Sequence, residues 1–358
     1  MKKLVLTLQL LPVLAGIAAM GIAGTAPAMA APLATDDAPS FYKSAQMKMI
    51  IRSEASGTYD TFGRLLARHI GRHIPGNPNL VPINMPGASG IKAANYVAVV
   101  APHDGSIIAN ISFGFPGMQA MGQLEKVGAD MRDFNWIGSF NATNQVLVLS
   151  TASPTKTLAD AAKRETLVGA STIVSTASQL PTAFNIFLGT KFKVIPGYQG
   201  IGAQRLAMER GEIEGLGANG WDDLKTDFAE MLANKRLNVV IQVGMAKDDE
   251  LLNVPLLIDQ AKDENQRAVL KFLTEANSSL GKPFVTSPGV PADRVKILRD
   301  AFNQTMTDPA FLEDAKRIHA EIRPIKGETL AQLVEDIVTT PPDVIAKVKA
   351  ALGETSGL

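Results

Sequence analysis

An apolar run ending at Ile51 empties through a small-residue turn, Ser56-Gly57-Thr58, into a helix that opens near Tyr59-Asp60. Phe62, Leu65, Leu66, His69 and Ile70 recur along that helix at a 3.6-residue period, so one of its faces is apolar. The pattern then repeats. Leu80-Val81-Pro82-Ile83-Asn84 reads as a second strand, Pro86-Gly87-Ala88-Ser89-Gly90 as its turn, and a second helix runs through Ile91, Ala94 and Val97. Pro102-His103-Asp104-Gly105 turns the chain into a third strand over 106–111. Strands and helices alternating roughly every 25 residues predict a parallel sheet with right-handed crossovers. Ligands of such sheets sit beyond the carboxyl ends of the strands, the edge where both small-residue turns lie.

A strand that enters a helix through a Gly-containing turn aims several backbone N–H groups at one point, together with the positive end of the helix dipole. A carboxylate or phosphate can bind there without a basic side chain. The candidate grip is therefore Ser56, Gly57, Thr58, Tyr59 and Asp60 in the first turn, with Gly87, Ala88, Ser89 and Gly90 in the second. Two readings of Asp60 stay open, as a cap of the helix N-terminus or as a group that orients waters or donors toward a ligand. Residues 87–90 could equally be a tight turn and nothing more.

Further along the chain the alternation lapses and then restarts. Residues 135–138 and 145–149 read as strands joined by a polar turn, and the first crossing into a second lobe falls here. Thr157 with Asp160 forms a capping box. A strand at 167–169, a Ser/Thr-rich loop over 171–178, a helix over 180–188 and a strand at 192–195 follow. Next come the turn Pro196-Gly197-Tyr198-Gln199-Gly200, a helix over 201–210, and strands at 213–216 and 237–243 flanking a helix that opens at Trp221-Asp222. Residues 282–287 form a strand returning to the first lobe, and Pro291 and Pro309 each open a helix of a helical tail that runs to about 352. The expected fold class is α/β: two lobes, 44–147 plus 283–358 and 148–282, with a cleft between them and two hinge crossings. That is the layout of a bilobal, type II-like periplasmic binding protein.

At 358 residues the chain exceeds one comfortable core, which agrees with two lobes. Lys2 and Lys3, an apolar run over 4–23 and Ala28-Met29-Ala30 have the form of a secretory signal cleaved after Ala30, with 31–43 a disordered lead-in. The expected location is therefore the periplasm. The chain has no cysteine, so it has no lipid-attached Cys, disulfide or thiolate metal site. Lys plus Arg and Asp plus Glu number 35 each, and removing Lys2 and Lys3 leaves 33 against 35. That balance offers no basic face for nucleic acid or anionic lipid.

Enzymatic signatures are missing: there is no G-x-x-x-x-G-K-[ST], H-E-x-x-H or G-x-S-x-G. His69 and His73, four apart, could share a metal, but a pair of histidines near a helix C-terminus is the simpler reading, and neither a metal nor a cofactor is expected. Ser171, Thr172 and Ser175 read either as an ordinary polar loop or as hydroxyl donors facing the cleft. Tyr198, Asn219 and Trp221 read as cleft walls or as packing between the lobes. Asp222-Asp223 reads as charge at a helix N-terminus.

Taken together, Gly57-Thr58-Tyr59-Asp60 with TFGRLLARHI, HIPGNPNLVPINMPGASGIKAANY, Ala101-Pro102-His103-Asp104-Gly105, Gly197-Tyr198-Gln199-Gly200, AMERGEIEG and PGVPADRVKILRDAFNQTMTDPAFL resemble the substrate-binding receptors of tripartite tricarboxylate transporters, the Bug family. The resemblance spans nearly the whole chain after the signal. It implies a two-lobed periplasmic receptor that closes on a small, usually carboxylated solute and presents it to a membrane permease; a monomer without enzymatic activity is expected. It also implies that residues 56–60 and 87–90 grip a carboxylate, with Ser171 to Ser175 and Tyr198 contributed by the opposite lobe. In that family the first loop usually has Pro and several Gly where this chain has Glu54-Ala55-Ser56-Gly57, and the second-lobe loop has a His where this chain has Ala177-Ser178-Gln179. A monocarboxylate, an aromatic acid or an amino-acid-like solute therefore stays open beside a dicarboxylate. So do a receptor for a neutral or cationic solute, a partner of a membrane kinase and, more remotely, a secreted serine hydrolase.

Overall fold

Three apolar strands, β1 (Met47–Ile51), β2 (Leu80–Asn84) and β3 (Ile107–Asn110), lie in parallel with β1 in the middle, as the alternation predicts. The structure is a computed structural model that describes residues 37–352 apart from 56, 174 and 319. The expected signal segment lies outside the described residues. Continuing along the chain, the strands are β4 (Asn135–Ser139), β5 (Gln145–Ser150), β6 (Thr166–Gly169), β7 (Phe192–Ile195), β8 (Gly215–Gly220), β9 (Leu237–Val243), β10 (Pro283–Thr286) and β11 (Ile325–Lys326).

These strands make two sheets. The first has the order β11-β4-β10-β3-β1-β2, with β10 antiparallel to both neighbours. The second has the order β7-β6-β8-β5-β9, where β6 pairs in parallel with β7 and β8, and β5 runs antiparallel to β8 and β9. Both sheets are thus mixed rather than purely parallel, because the crossing strands enter against the direction of the β-α units. The chain crosses from the first sheet to the second between β4 and β5, and returns between β9 and β10. The fold is the bilobal α/β one expected.

Phe140, just past β4, is fully buried and packs against Phe62, Phe284 and Phe311 with ring centroids 5.1–5.5 Å apart. One aromatic side chain thereby ties the helix Thr58–His69, β10 and the helix Pro309–Arg317 together; burying a Phe contributes roughly 1.5–3 kcal/mol.

Two segments differ from the expectation. Residues 38–44 form a helix rather than a disordered lead-in: Asp37 caps it by accepting from the Ser40 N–H, and Tyr42 is fully buried. The helix that follows the Ser/Thr loop spans Thr176–Leu188, so residues 176–178 belong to its first turn. A helix over Glu264–Ser278, capped by Asp263, is not visible as a period-3.6 stripe because its last two turns are buried on nearly all sides.

Candidate functional site

The first turn is held by asparagines at the ends of its neighbouring strands. Asn110 closes β3: its Oδ1 accepts from the Arg52 N–H at 3.0 Å and its Nδ2 donates to the Tyr59 carbonyl at 2.8 Å. Asn84 closes β2: its Nδ2 donates to the Ser53 carbonyl at 2.9 Å and to Asp60 Oδ1 at 2.8 Å. Arg64 completes the frame, with Nε 2.8 Å from Asp60 and Nη2 2.7 Å from Asn84 Oδ1. Asp60, 5% exposed, is therefore a buried tie between helix and strand, a role beyond the two read in the sequence. Gly63 lets the helix settle onto β1, since a Cβ there would lie 2.8 Å from Ile51 Cγ1. Gly57 takes the position before the helix without a side-chain cap, Thr58 is exposed and Tyr59 half-buried; Ser56 lies outside the described residues.

The second turn is built from four consecutive left-handed residues, Gly87, Ala88, Ser89 and Gly90. For Ala88 and Ser89 that conformation costs roughly 1–2 kcal/mol each, and a neighbour holds it in place. The Arg52 guanidinium donates from Nη2 to the Ser89 carbonyl while its carbon lies 4.5 Å from the centroid of the Tyr59 ring. A Cβ on Gly90 would run into Arg52 Nε. Arg52 thus stands between the two turns and ties them together. Its Nε and the Tyr59 hydroxyl are buried without hydrogen-bond partners.

Beside the first turn is a cavity of about 180 Å³ between the lobes, which Gly87, Ala88, Ser89 and Gly90 do not line. Ser53, Thr58, Tyr59 and Phe113 line it from the first sheet's loops. Thr143, Gln145, Asp223, Asn277 and Ser278 face them, with Gly281 and Lys282 of the return crossing at one side. Lys282 is 7% exposed, and its Nζ lies 3.5 Å from Asp223 and 5.0 Å from the centroid of the Phe62 ring. Sequence reasoning missed Arg52, Phe113, Asn277 and Lys282, and took Asp223 for helix-end charge.

The second-lobe candidates fall elsewhere. The Ser175 hydroxyl donates to the Thr172 carbonyl at 2.7 Å, and the Ser171 carbonyl accepts from the Gly197 N–H at 3.1 Å, so this loop is folded on itself. Tyr198 packs against the apolar cluster of Val146, Val148, Leu216 and Trp221 on the second sheet, where burial and then Glu212 push its phenol up. Asn219, on β8, leaves Nδ2 buried and unpartnered. Trp221 is a core residue rather than a cleft wall: it is 6% exposed and donates from Nε1 to Glu250 at 2.7 Å. None of these six lines the cavity that holds Lys282. His69 and His73 each meet a carboxylate of the tail, Asp314 at 2.8 Å and Asp308 at 2.9 Å.

An open groove of about 660 Å³ runs between the helix Trp221–Asp227 and the chain at 312–322. Asp222, on its wall, accepts from Asn141 Nδ2 at 2.5 Å and shares a hydrogen bond with Glu321. Burial, then Glu321, push the Asp222 carboxyl up to about 6. Lys225 reaches Glu321 at 3.1 Å and Glu250 at 2.8 Å.

No family model matches the chain, and no curated protein matches it. Solved structures do. A TctC solute-binding protein from Polaromonas aligns over 86% of this chain and 98% of its own, at 22% identity and a TM-score of 0.65. A Rhodopseudomonas palustris protein solved with adipate aligns over 87% and 98%, at 20% identity and a TM-score of 0.61. MatC from Rhodopseudomonas palustris, with bound malate, aligns over 86% and 99%, at 17% identity and a TM-score of 0.59. The resemblance read from the sequence and the fold of the structure meet in one place: this chain is folded as the TctC- and Bug-type periplasmic solute-binding proteins are.

Proposed function

We propose that the protein is a periplasmic receptor that captures a small carboxylated solute, without transforming it, and delivers it to a membrane permease of the tripartite tricarboxylate type. The observation that carries this reading is the Lys282 ammonium, buried in a cavity between the lobes beside the start of the helix Thr58–His69. A buried cation next to a helix N-terminus favours an anion there. Solved proteins of the same fold hold adipate and malate, which supports a carboxylate as the solute class. The lobes of the proposal are 44–147 with 283–358, and 148–282; β10 pairing within the first sheet supports the return boundary, whereas β5, paired from Gln145 onward within the second sheet, favours an outward boundary before 145. Ser53, Thr58, Tyr59 and Lys282 are the proposed contacts, with Arg52 bracing the two turns.

Thermal unfolding with a panel of organic acids tests the reading. A true ligand at 100 times its dissociation constant stabilises the fold by about 2.7 kcal/mol. Lys282→Met should abolish that shift. Stabilisation by neutral sugars, with none by any organic acid, would refute the proposal.

A further inference from the structure

We infer that the cleft selects a solute bearing an ammonium group beside its carboxylate, an amino acid or similar zwitterion, with Lys282 holding the carboxylate and Asp223 the ammonium. The inference rests on the receptor reading above and names the substrate class of that same site. Lys282 and Asp223 are the only ionisable groups other than Tyr59 among the described residues that line the cavity, and they are 3.5 Å apart. The other polar walls, Ser53, Thr58, Thr143, Gln145, Asn277 and Ser278, are neutral. Arg52 does not line it, being engaged with the Ser89 carbonyl and the Tyr59 ring.

The lining therefore carries one positive and one negative charge, brought from separate parts of the chain. Lys282 comes from the return crossing and Asp223 from the first turn of the helix Trp221–Asp227. A cation and an anion paired inside a ligand cavity are exchanged by a ligand that offers both charges on neighbouring atoms. Its carboxylate takes over Lys282, its ammonium takes over Asp223, and the buried lysine is not left alone. A dicarboxylate satisfies only the lysine and sets its second charge against the aspartate. Gly220 leaves the space for this arrangement, since a Cβ there would approach Asp223 Oδ2 to 3.1 Å.

The test is calorimetric titration of the full chain with the common L-amino acids and with the same acids lacking the amino group, aspartate against succinate and leucine against 4-methylpentanoate among them. At least one amino acid should bind about tenfold or more tighter than its deaminated partner. Asp223→Asn should erase that preference, and Asp223→Glu should retain it. Tighter binding of the deaminated acids, or a preference unchanged in Asp223→Asn, overturns the inference while leaving the receptor reading intact. If neither series binds, both fall together.

Discussion

Asn110 does not itself line the cavity, but it holds Tyr59, which does. It is 1% exposed and supplies both bonds that hold the chain on either side of the first turn. Replacing it by Ala leaves the Arg52 N–H and the Tyr59 carbonyl without those partners, at a cost of about 2 kcal/mol or more. The urea midpoint of Asn110→Ala should fall at an unchanged slope, and an unmoved midpoint would remove Asn110 from this role. At this scale the sequence was only partly legible. Strand, glycine and helix in succession mark the turns at 57–60 and 87–90 because that signal is local. Asp223 and Lys282 meet only through the chain crossings, and Arg52 reaches Ser89 only across the intervening β-α unit, so no spacing along the sequence announces them. Trp221 misled for a simpler reason, since an indole with a hydrogen-bond partner is as well placed in a core as on a cleft wall.

Among the elements, the crossings are the most constrained. Gly281 sits at φ +60°, and a Cβ there would lie 1.5 Å from the Asn141 carbonyl oxygen, so the outward and return crossings are in backbone contact. Gly281→Ala meets both left-handed strain and a clash with main chain that has no rotamer to escape into. It should destabilise the fold by about 3 kcal/mol or more, measured by chemical denaturation. A loss below about 1 kcal/mol would show that the crossings separate easily. The β-α units were readable because apolar periodicity and Gly-Pro punctuation agree along them. The antiparallel entry of β5 and β10 was not, because strand direction is set by where the chain comes from rather than by its composition. The helix Ala38–Ser44 was missed although Asp37 followed by Pro39 is a legible start, because the polar stretch before it draws the eye to disorder.

On the scale of the whole molecule, the Asp222–Glu321 pair joins a helix that follows the second sheet to the segment leading into β11 of the first. Asp222 is pushed up from 3.8 to about 6, by burial first and then by Glu321. Glu321 is lowered: burial acts upward on it, but hydrogen bonds from Asp222 and Lys225 outweigh that. The folded state therefore binds the Asp222 proton more tightly than the unfolded chain does. Its stabilisation is complete below about pH 4 and is lost as pH rises through about 6. Asp222→Asn keeps a permanent N–H toward Glu321 and does not titrate, so its melting temperature should gain on that of the natural chain between about pH 4.5 and about pH 7.5. Parallel melting curves across that range would exclude the pair as a pH-sensitive contact.

The placement of β10 between β3 and β4 has a consequence for how such a chain is made. The N-terminal strands leave the ribosome early, yet the neighbour that pairs with β3 begins only at Pro283. Until then β3 presents an unpaired edge, open to mispairing and to proteases. Assembly of the earliest-made part must wait for almost the last, so a holding chaperone would be needed longest by the segment that is synthesised first.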